Sequence, residues 1–305
     1  MKRPTAEDRV EYAAALAFVR LVRLLPPRLV WPLARTLGVV LFDVARYRRR
    51  VILANLERHL PARIPSPPLA DNGRGRESIG RECLAGFVGA IADLARLPMV
   101  DAGLIRDNIE TEGLEHLDGA LAAGKGAVLI TGHFGSWELM GCVLTRLGYP
   151  LSYVVGIQRN PLVQRLMNDL RRSCGIGIIE PEGLLAALRT LRSNRFVALL
   201  PDQDAGSEGG PGVFVDFLGD LALTARGAAE LAVLARAPII PGFIIRTSAT
   251  GHRIVIERPI PPPEGRSDAD IRDLTAAYTS VIAAYVTRHP GHWLWSHRRW
   301  KTRPA

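Results

Sequence analysis

With 305 residues, 48% of them hydrophobic, the chain can bury a large core, as one big α/β domain or one domain with an appendage. Its 39 Lys and Arg against 30 Asp and Glu give a formal charge of +9, which implies an anionic partner: nucleic acid, an anionic membrane or an acidic carrier protein. The absence of zinc-finger spacing and of an RNP-like aromatic block argues against nucleic acid. Three cysteines, Cys83, Cys142 and Cys174, without C-x-x-C spacing, argue against a disulfide framework or zinc site and for a reducing compartment.

The first residues, MKRPTAEDRVEYAAALAFVRLVRLLPP, mix acids with bases and lack a signal-peptide cleavage site. Arg20 and Arg23 interrupt the first apolar stretch; Arg35, Asp43 and Pro32 interrupt the second. Neither therefore reaches the roughly 18 uninterrupted residues of a spanning helix. Two readings stand: an amphipathic helix laid in a membrane interface with snorkelling arginines, or a helix docked on the domain. The first is the expectation, with residues 1–60 as an N-terminal helical membrane-associating segment. Within it RYRRRVILANLERHLP interleaves arginine with Val51, Ile52, Leu53 and Leu56, either a solvated face or one turned to lipid phosphates. Residues 61–76, rich in Pro, Gly and Arg, read as a loop or linker, and 77–305 as an α/β domain.

Helices are expected at 77–96 and 114–123. From residue 126 the short apolar runs GAVLIT, LSYVVG, IGII and FVALLP alternate with helical stretches at 136–147, 161–174 and 183–193. That rhythm predicts a central mixed, largely parallel sheet flanked by helices. After the loop PDQDAGSEGGPG come FVDF, a helix near 224–236, and PIIPGFII with RIVIERPI as an edge hairpin across RTSATGH. A helix at 269–289 and the tail GHWLWSHRRWKTRPA close the chain.

In such a sheet ligands bind beyond the carboxyl ends of the strands, and three polar clusters fall there. His133 follows GAVLIT inside TGHFGSWEL, with Ser136 as a helix N-cap and Glu138 in the first helical turn. The pair is either a general base with its orienting acid, or a loop histidine beside an acid that the helix dipole favours. On a continuous helix the five-residue offset separates the side chains by about 140°, so the glycine turn must fold His133 back for the two to meet. Arg159, in QRNP, is a phosphate-forking guanidinium or a solvated loop arginine. Asn160 shapes the turn before Pro161. Asp202 and Gln203 end FVALLP; Asp204 and Asp216 are weaker candidates. His292 and His297 read as structural. Trp293, Trp295 and Trp300 fit either a membrane interface or core packing. No metal site and no G-x-S-x-G elbow is found.

The ordered set RRRVILANLERHLP, GHFGSWE, QRNP, LLPDQD, GVFVDFLGDLALTARGAAELA and HPGHWLWSHRRW resembles the lysophospholipid acyltransferase superfamily with its H-x4-D/E signature. More narrowly, it resembles the bacterial lipid A late acyltransferases and phosphatidylinositol mannoside acyltransferases. The resemblance implies that His133, assisted by Glu138, deprotonates a glycolipid hydroxyl that attacks an acyl thioester. Arg159, Asn160, Asp202 and Gln203 would then bind substrate, and amides of the Gly132–Gly135 turn or Arg159 would hold the oxyanion. It implies an acyl-carrier-protein or coenzyme A thioester as donor and no permanently bound cofactor. It also implies a glycolipid acceptor, an anionic membrane surface as partner, and residence on the cytoplasmic face of the inner membrane as a peripheral or monotopic protein. A hydrolase using the same dyad and a non-catalytic membrane-binding module are the competing readings.

Overall fold

Short aliphatic runs bounded by glycine, proline or polar residues form the strands of one seven-stranded sheet, in a computed structural model that describes residues 4–60, 75–180, 183–208 and 211–304. Three helices come first: α1 (Ala6–Leu24), α2 (Pro27–Val39), which runs on into a π turn at Val40–Val44, and α3 (Arg49–His59). Thr5 caps α1 in a capping box with Asp8, and Pro26–Pro27 separates α1 from α2. The expected linker lies outside the described residues except for Gly75 and Arg76, where α4 (Arg76–Arg96) begins.

These helices dock on α4 through specific notches. Phe42 is fully buried against Gly80, where an added Cβ would lie 2.3 Å from its ring, and Arg49 and Arg81 lie over the same ring. Arg96 donates to the carbonyls of Val22 and Leu25, and Arg23 donates to Ala95 O. The end of α1 is thus capped by a side chain of the domain.

The remaining elements are α5 (Ala102–Asn108), β1 (Ile109–Glu112), α6 (Leu114–Ala122), β2 (Ala127–Ile130), α7 (Trp137–Arg146), β3 (Leu151–Val154), α8 (Pro161–Arg172), β4 (Gly177–Ile179), α9 (Leu184–Arg192) and β5 (Phe196–Leu199). They are followed by α10 (Ala205–Glu208), β6 (Gly212–Phe217), β7 (Asp220–Ala225), α11 (Gly227–Ala235), β8 (Ile239–Arg246), β9 (His252–Ile256) and α12 (Asp268–Arg288). The sheet order is β1-β9-β8-β2-β5-β3-β4. The five strands from β8 to β4 run parallel; β9 reverses against β8, and β1 pairs parallel to β9. β2 is buried on both faces, Val128 and Ile130 in one core and Ala127 and Leu129 in the other, so it reads as a continuous apolar run.

The helix expected near 224–236 is α11 (Gly227–Ala235), but a strand that was not expected precedes it: residues 220–225 form β7, because DLALTA pairs antiparallel with GVFVDF across Leu218–Gly219. Both turn residues have positive φ, 57° and 88°, and leucine is not a turn signal for that conformation. Against the expectation of no disulfide, Cys142 on α7 is bonded to Cys174 just beyond α8. The pair lies 32 residues apart and carries no spacing signature.

Candidate active site

β2 and β5 are direct neighbours, with Ile130 opposite Leu199. His133 and Asp202 each lie three residues past that register pair, so adjacent strand ends bring them together. The imidazole Nδ1 is 2.8 Å from Asp202 Oδ1, and the His133 backbone N–H donates to Oδ2 at 2.6 Å. With the carboxylate accepting from Nδ1–H, the lone pair stands on Nε2. The Gln203 amide nitrogen is within hydrogen-bonding distance of the ring, 3.3 Å from Nδ1 and 3.2 Å from Nε2. Trp137 meets the ring at its edge, with centroids 5.1 Å apart.

The chain's last segment closes the back of this loop. Leu294 N–H donates to His133 O at 3.1 Å and Gly135 N–H donates to His292 O at 2.9 Å. Gly135 has φ +58°, and a Cβ there would lie 2.1 Å from Ile244 O, so only glycine fits. Trp293 Nε1–H donates to Asp202 Oδ2 at 2.8 Å. Asn55 of α3 holds the segment by donating to the carbonyls of Trp295 and His297, each at 2.9 Å.

Burial by itself would raise the Asp202 pKa. The charge of His133 and the donors on its carboxylate, His133 and Trp293, outweigh it and hold the group at about 2. The site therefore contains a fixed negative charge beneath a histidine that is still 24% exposed.

Glu138 takes another place. Its carboxylate, 4% exposed, receives Arg171 Nη2 at 2.6 Å and Nε at 3.0 Å, and Arg171 also donates to Asn168 Oδ1 at 2.9 Å. The expectation that Glu138 orients His133 is thus corrected: the carboxylate on Nδ1 belongs to Asp202. A strand neighbour supplies the acid, while Glu138 faces α8 from the first turn of α7. Neither Trp293 as a donor to Asp202 nor Arg171 as the partner of Glu138 was read from the sequence; no local pattern points to either.

Arg159 and Asn160 also differ from expectation. Arg159 is 73% exposed and pairs with Glu11 and Glu7 of α1. Asn160, buried, caps α8 by accepting from Leu162 N and Val163 N, and donates to Asp8 O and Glu11 Oε2. Together they clasp α1 instead of joining His133. Two expected oxyanion donors are likewise engaged, since the amides of His133 and Gly135 already have acceptors. Asp204 is buried and accepts from Thr302 Oγ1. Trp293 and Trp295 are core residues, fully buried, which settles their two readings in favour of packing.

Beside the loop, between α7 and the sheet, runs a narrow apolar cavity. Thr131, Trp137, Met140, Tyr153, Leu200 and Ile240 are among its lining residues. Tyr153 O–H donates to Trp137 O, and a Cβ on Gly141 would lie 1.8 Å from that hydroxyl, so the glycine sets the contact between wall and helix.

A histidine held by a buried carboxylate at the carboxyl edge of a mostly parallel sheet, next to an apolar cavity, is an arrangement compatible with acyl transfer. Residues 3–302 match the family of bacterial lipid A biosynthesis acyltransferases, and the chain belongs to that family. It is 27% identical over 287 residues to a lipid A biosynthesis acyltransferase of Haemophilus influenzae, covering 94% of this chain and 86% of that one. A phosphatidylinositol mannoside acyltransferase of Mycolicibacterium smegmatis is 27% identical over 251 residues, 80% of this chain and 78% of its own. The lipid A biosynthesis myristoyltransferase of Escherichia coli is 24% identical over 283 residues, 92% and 84% respectively. The protein is an acyltransferase.

Proposed function

We propose that this acyltransferase moves a fatty acyl chain from a thioester, on an acyl carrier protein or coenzyme A, to a hydroxyl of a glycolipid of the lipid A precursor or phosphatidylinositol mannoside type. The observation that carries the reading is the His133–Asp202 pair, whose geometry leaves Nε2 as the base. The acceptor hydroxyl gives its proton to Nε2 as its oxygen attacks the thioester carbon. The C–S bond then breaks, and the departing thiolate takes the proton back from Nε2, leaving an ester and a free thiol. Asp202 stabilises the imidazolium in between. The acyl chain occupies the apolar cavity beyond Thr131 and Trp137, which is narrow enough that Met140 and its neighbours must part to admit it.

The same reading places the protein on the cytoplasmic face of the inner membrane. Among the described residues no helix is long and apolar enough to cross a membrane. Leu29, Leu33, Leu37, Val40 and Val44 form an exposed apolar stripe along α2 and its π turn, with Arg28, Arg35, Arg46 and Arg48 exposed nearby. An apolar stripe flanked by arginine suits an anionic bilayer surface.

The test is transfer from a radiolabelled acyl-carrier-protein or coenzyme A thioester to each of the two glycolipids by the purified protein. His133→Ala should lower transfer by about 10²–10⁴-fold. Unchanged transfer would overturn the mechanism, and release of free fatty acid at the same rate with and without acceptor would assign a hydrolase instead.

A further inference from the structure

The chemistry above, on whose reading this inference rests, needs donors for the thioester carbonyl oxygen as it becomes an oxyanion. The obvious donors are already engaged. His133 N–H serves Asp202, Gly135 N–H serves His292 O, the Trp293 indole serves Asp202, and Arg159 pairs with α1. Two side-chain hydroxyls are not. Thr131 Oγ1 and Ser136 Oγ have no hydrogen-bond partner among the described residues, although Thr131 is 5% and Ser136 3% exposed.

Their positions bracket the base. Thr131 follows directly on β2, two residues before His133, with its backbone N–H fixed to Leu199 O, and it lines the apolar cavity. Ser136 stands three residues after His133, immediately before α7, yet its side chain makes none of the capping bonds expected of a helix N-cap serine. A buried hydroxyl without an acceptor destabilises a fold, and one that also leaves a helix uncapped forgoes a second stabilising contact. Such groups occur where the acceptor arrives with the substrate. The positive end of the α7 dipole adds a field of the right sign at Ser136.

We propose that the hydroxyls of Thr131 and Ser136 are the hydrogen-bond donors that hold the thioester carbonyl oxygen of the acyl donor while the acceptor oxygen adds to its carbon. The carbonyl lies at the mouth of the cavity, its alkyl chain running inward past Thr131 and its sulfur facing solvent. As the acceptor oxygen bonds to carbon and its proton passes to His133 Nε2, the negative charge gathers on this oxygen. It returns to the carbonyl as the C–S bond breaks and the thiolate takes the proton from Nε2.

The experiment compares Thr131→Val, Ser136→Ala and the double variant with the wild type and with His133→Ala, measuring kcat, KM for the acyl thioester, and Tm. Each single variant should lose about ten-fold or more in kcat and the double about 10²–10³-fold, with KM changed by less than about three-fold. Tm should stay the same or rise, because an orphan buried hydroxyl has been removed. That readout separates these groups from structural hydroxyls. Thr131→Ser, which keeps the hydroxyl, should restore most of the kcat lost in Thr131→Val. A double variant that keeps kcat within about two-fold of wild type, while His133→Ala is inactive, overturns the proposal and leaves the base assignment standing. A drop in Tm without a drop in kcat overturns it as well, by giving the hydroxyls structural partners. Activity in His133→Ala removes the underlying mechanism instead.

Discussion

Two acidic side chains lie close behind the sheet edge, and they are built for different work. Glu138 meets Arg171 through several hydrogen bonds with both partners nearly buried, a closed pair in which neither charge faces the site. Asp202 is as deeply buried, but its donors are the backbone and ring of His133 and the Trp293 indole, and its partner is still 24% exposed. The first pair joins α7 to α8, the same two segments that Cys142–Cys174 ties covalently. The second holds an imidazole that is still partly exposed. Under the proposed mechanism, a buried carboxylate acquires a structural or a chemical role from how much of its partner remains accessible, not from its own burial.

Substituting each acid separates the two roles, and the Asp202 side should show the larger effect. Asp202→Asn replaces an acceptor of the Nδ1 proton with an amide that cannot fix the same tautomer, and should lower kcat by about 10²–10⁴-fold. It should also move the acid limb of the kcat/KM profile, because the charge that stabilises the imidazolium is gone. Since Asp202 is held at about 2, it should add no second ionisation to that limb in the wild type. A two-proton limb there would contradict the assignment.

Glu138→Gln should act chiefly on stability. It leaves a guanidinium that is only 12% exposed without its counter-charge, which typically costs about 3–5 kcal/mol. Replacing both partners, as in Glu138→Leu with Arg171→Met, should recover most of that, and the pH profile of residual activity should stay where it is in the wild type. A shift of the profile in Glu138→Gln matching that of Asp202→Asn would place Glu138 on the proton path.

How far the sequence revealed this arrangement follows from the range of the contacts. The β-α alternation after residue 126 is local, and the parallel block with its strand-end clusters emerged from it directly. The N-cap role of Asn160 was readable from NP before a helix. The partner of His133 was not, because H-x4-E offers an acid at short range, whereas Asp202 stands 69 residues on and is a neighbour only once β5 is known to insert between β2 and β3. LLPDQD was recognised as a strand end; strand order was the missing knowledge. Trp293 is more remote still, since nothing local tells a tryptophan that packs from one that donates to a carboxylate. The β7 strand was hidden by a turn whose leucine takes a conformation usually left to glycine or asparagine.

A smaller effect comes from histidines away from the site. Burial lowers His59 and His252 to about 4 and His292 to about 3, with nearby arginines, and His289 in the case of His292, adding to the effect. All three are folded as neutral rings. In the unfolded chain each takes a proton near pH 6.5, so the unfolded state binds more protons below that pH. The stability these groups preserve is therefore complete above about 6.5 and is lost progressively as pH falls toward 4. Calorimetry should show Tm falling over that interval, by roughly 2–4 °C for each kcal/mol lost. A flat Tm between pH 6.5 and 4.5 would mean that these rings are solvated.

The smallest expected effect is at the clasp on α1, where the two neighbours Arg159 and Asn160 should differ. Arg159 is mostly solvated, and exposed ion pairs of its kind contribute little to stability. Asn160 is buried, caps α8 and donates to two groups of α1, so Asn160→Ala removes a cap worth about 0.5–2 kcal/mol and leaves Asp8 O and Glu11 short of a donor. Asn160→Ala should therefore lower Tm more than Arg159→Ala does, and Arg159→Ala should lose more of its remaining effect as salt rises. The reverse order would make the guanidinium the anchor of α1. If instead Arg159→Ala left Tm alone and raised KM for a phosphorylated acceptor several-fold, Glu7 and Glu11 would be occupying an anion site that the acceptor's phosphate takes in turn.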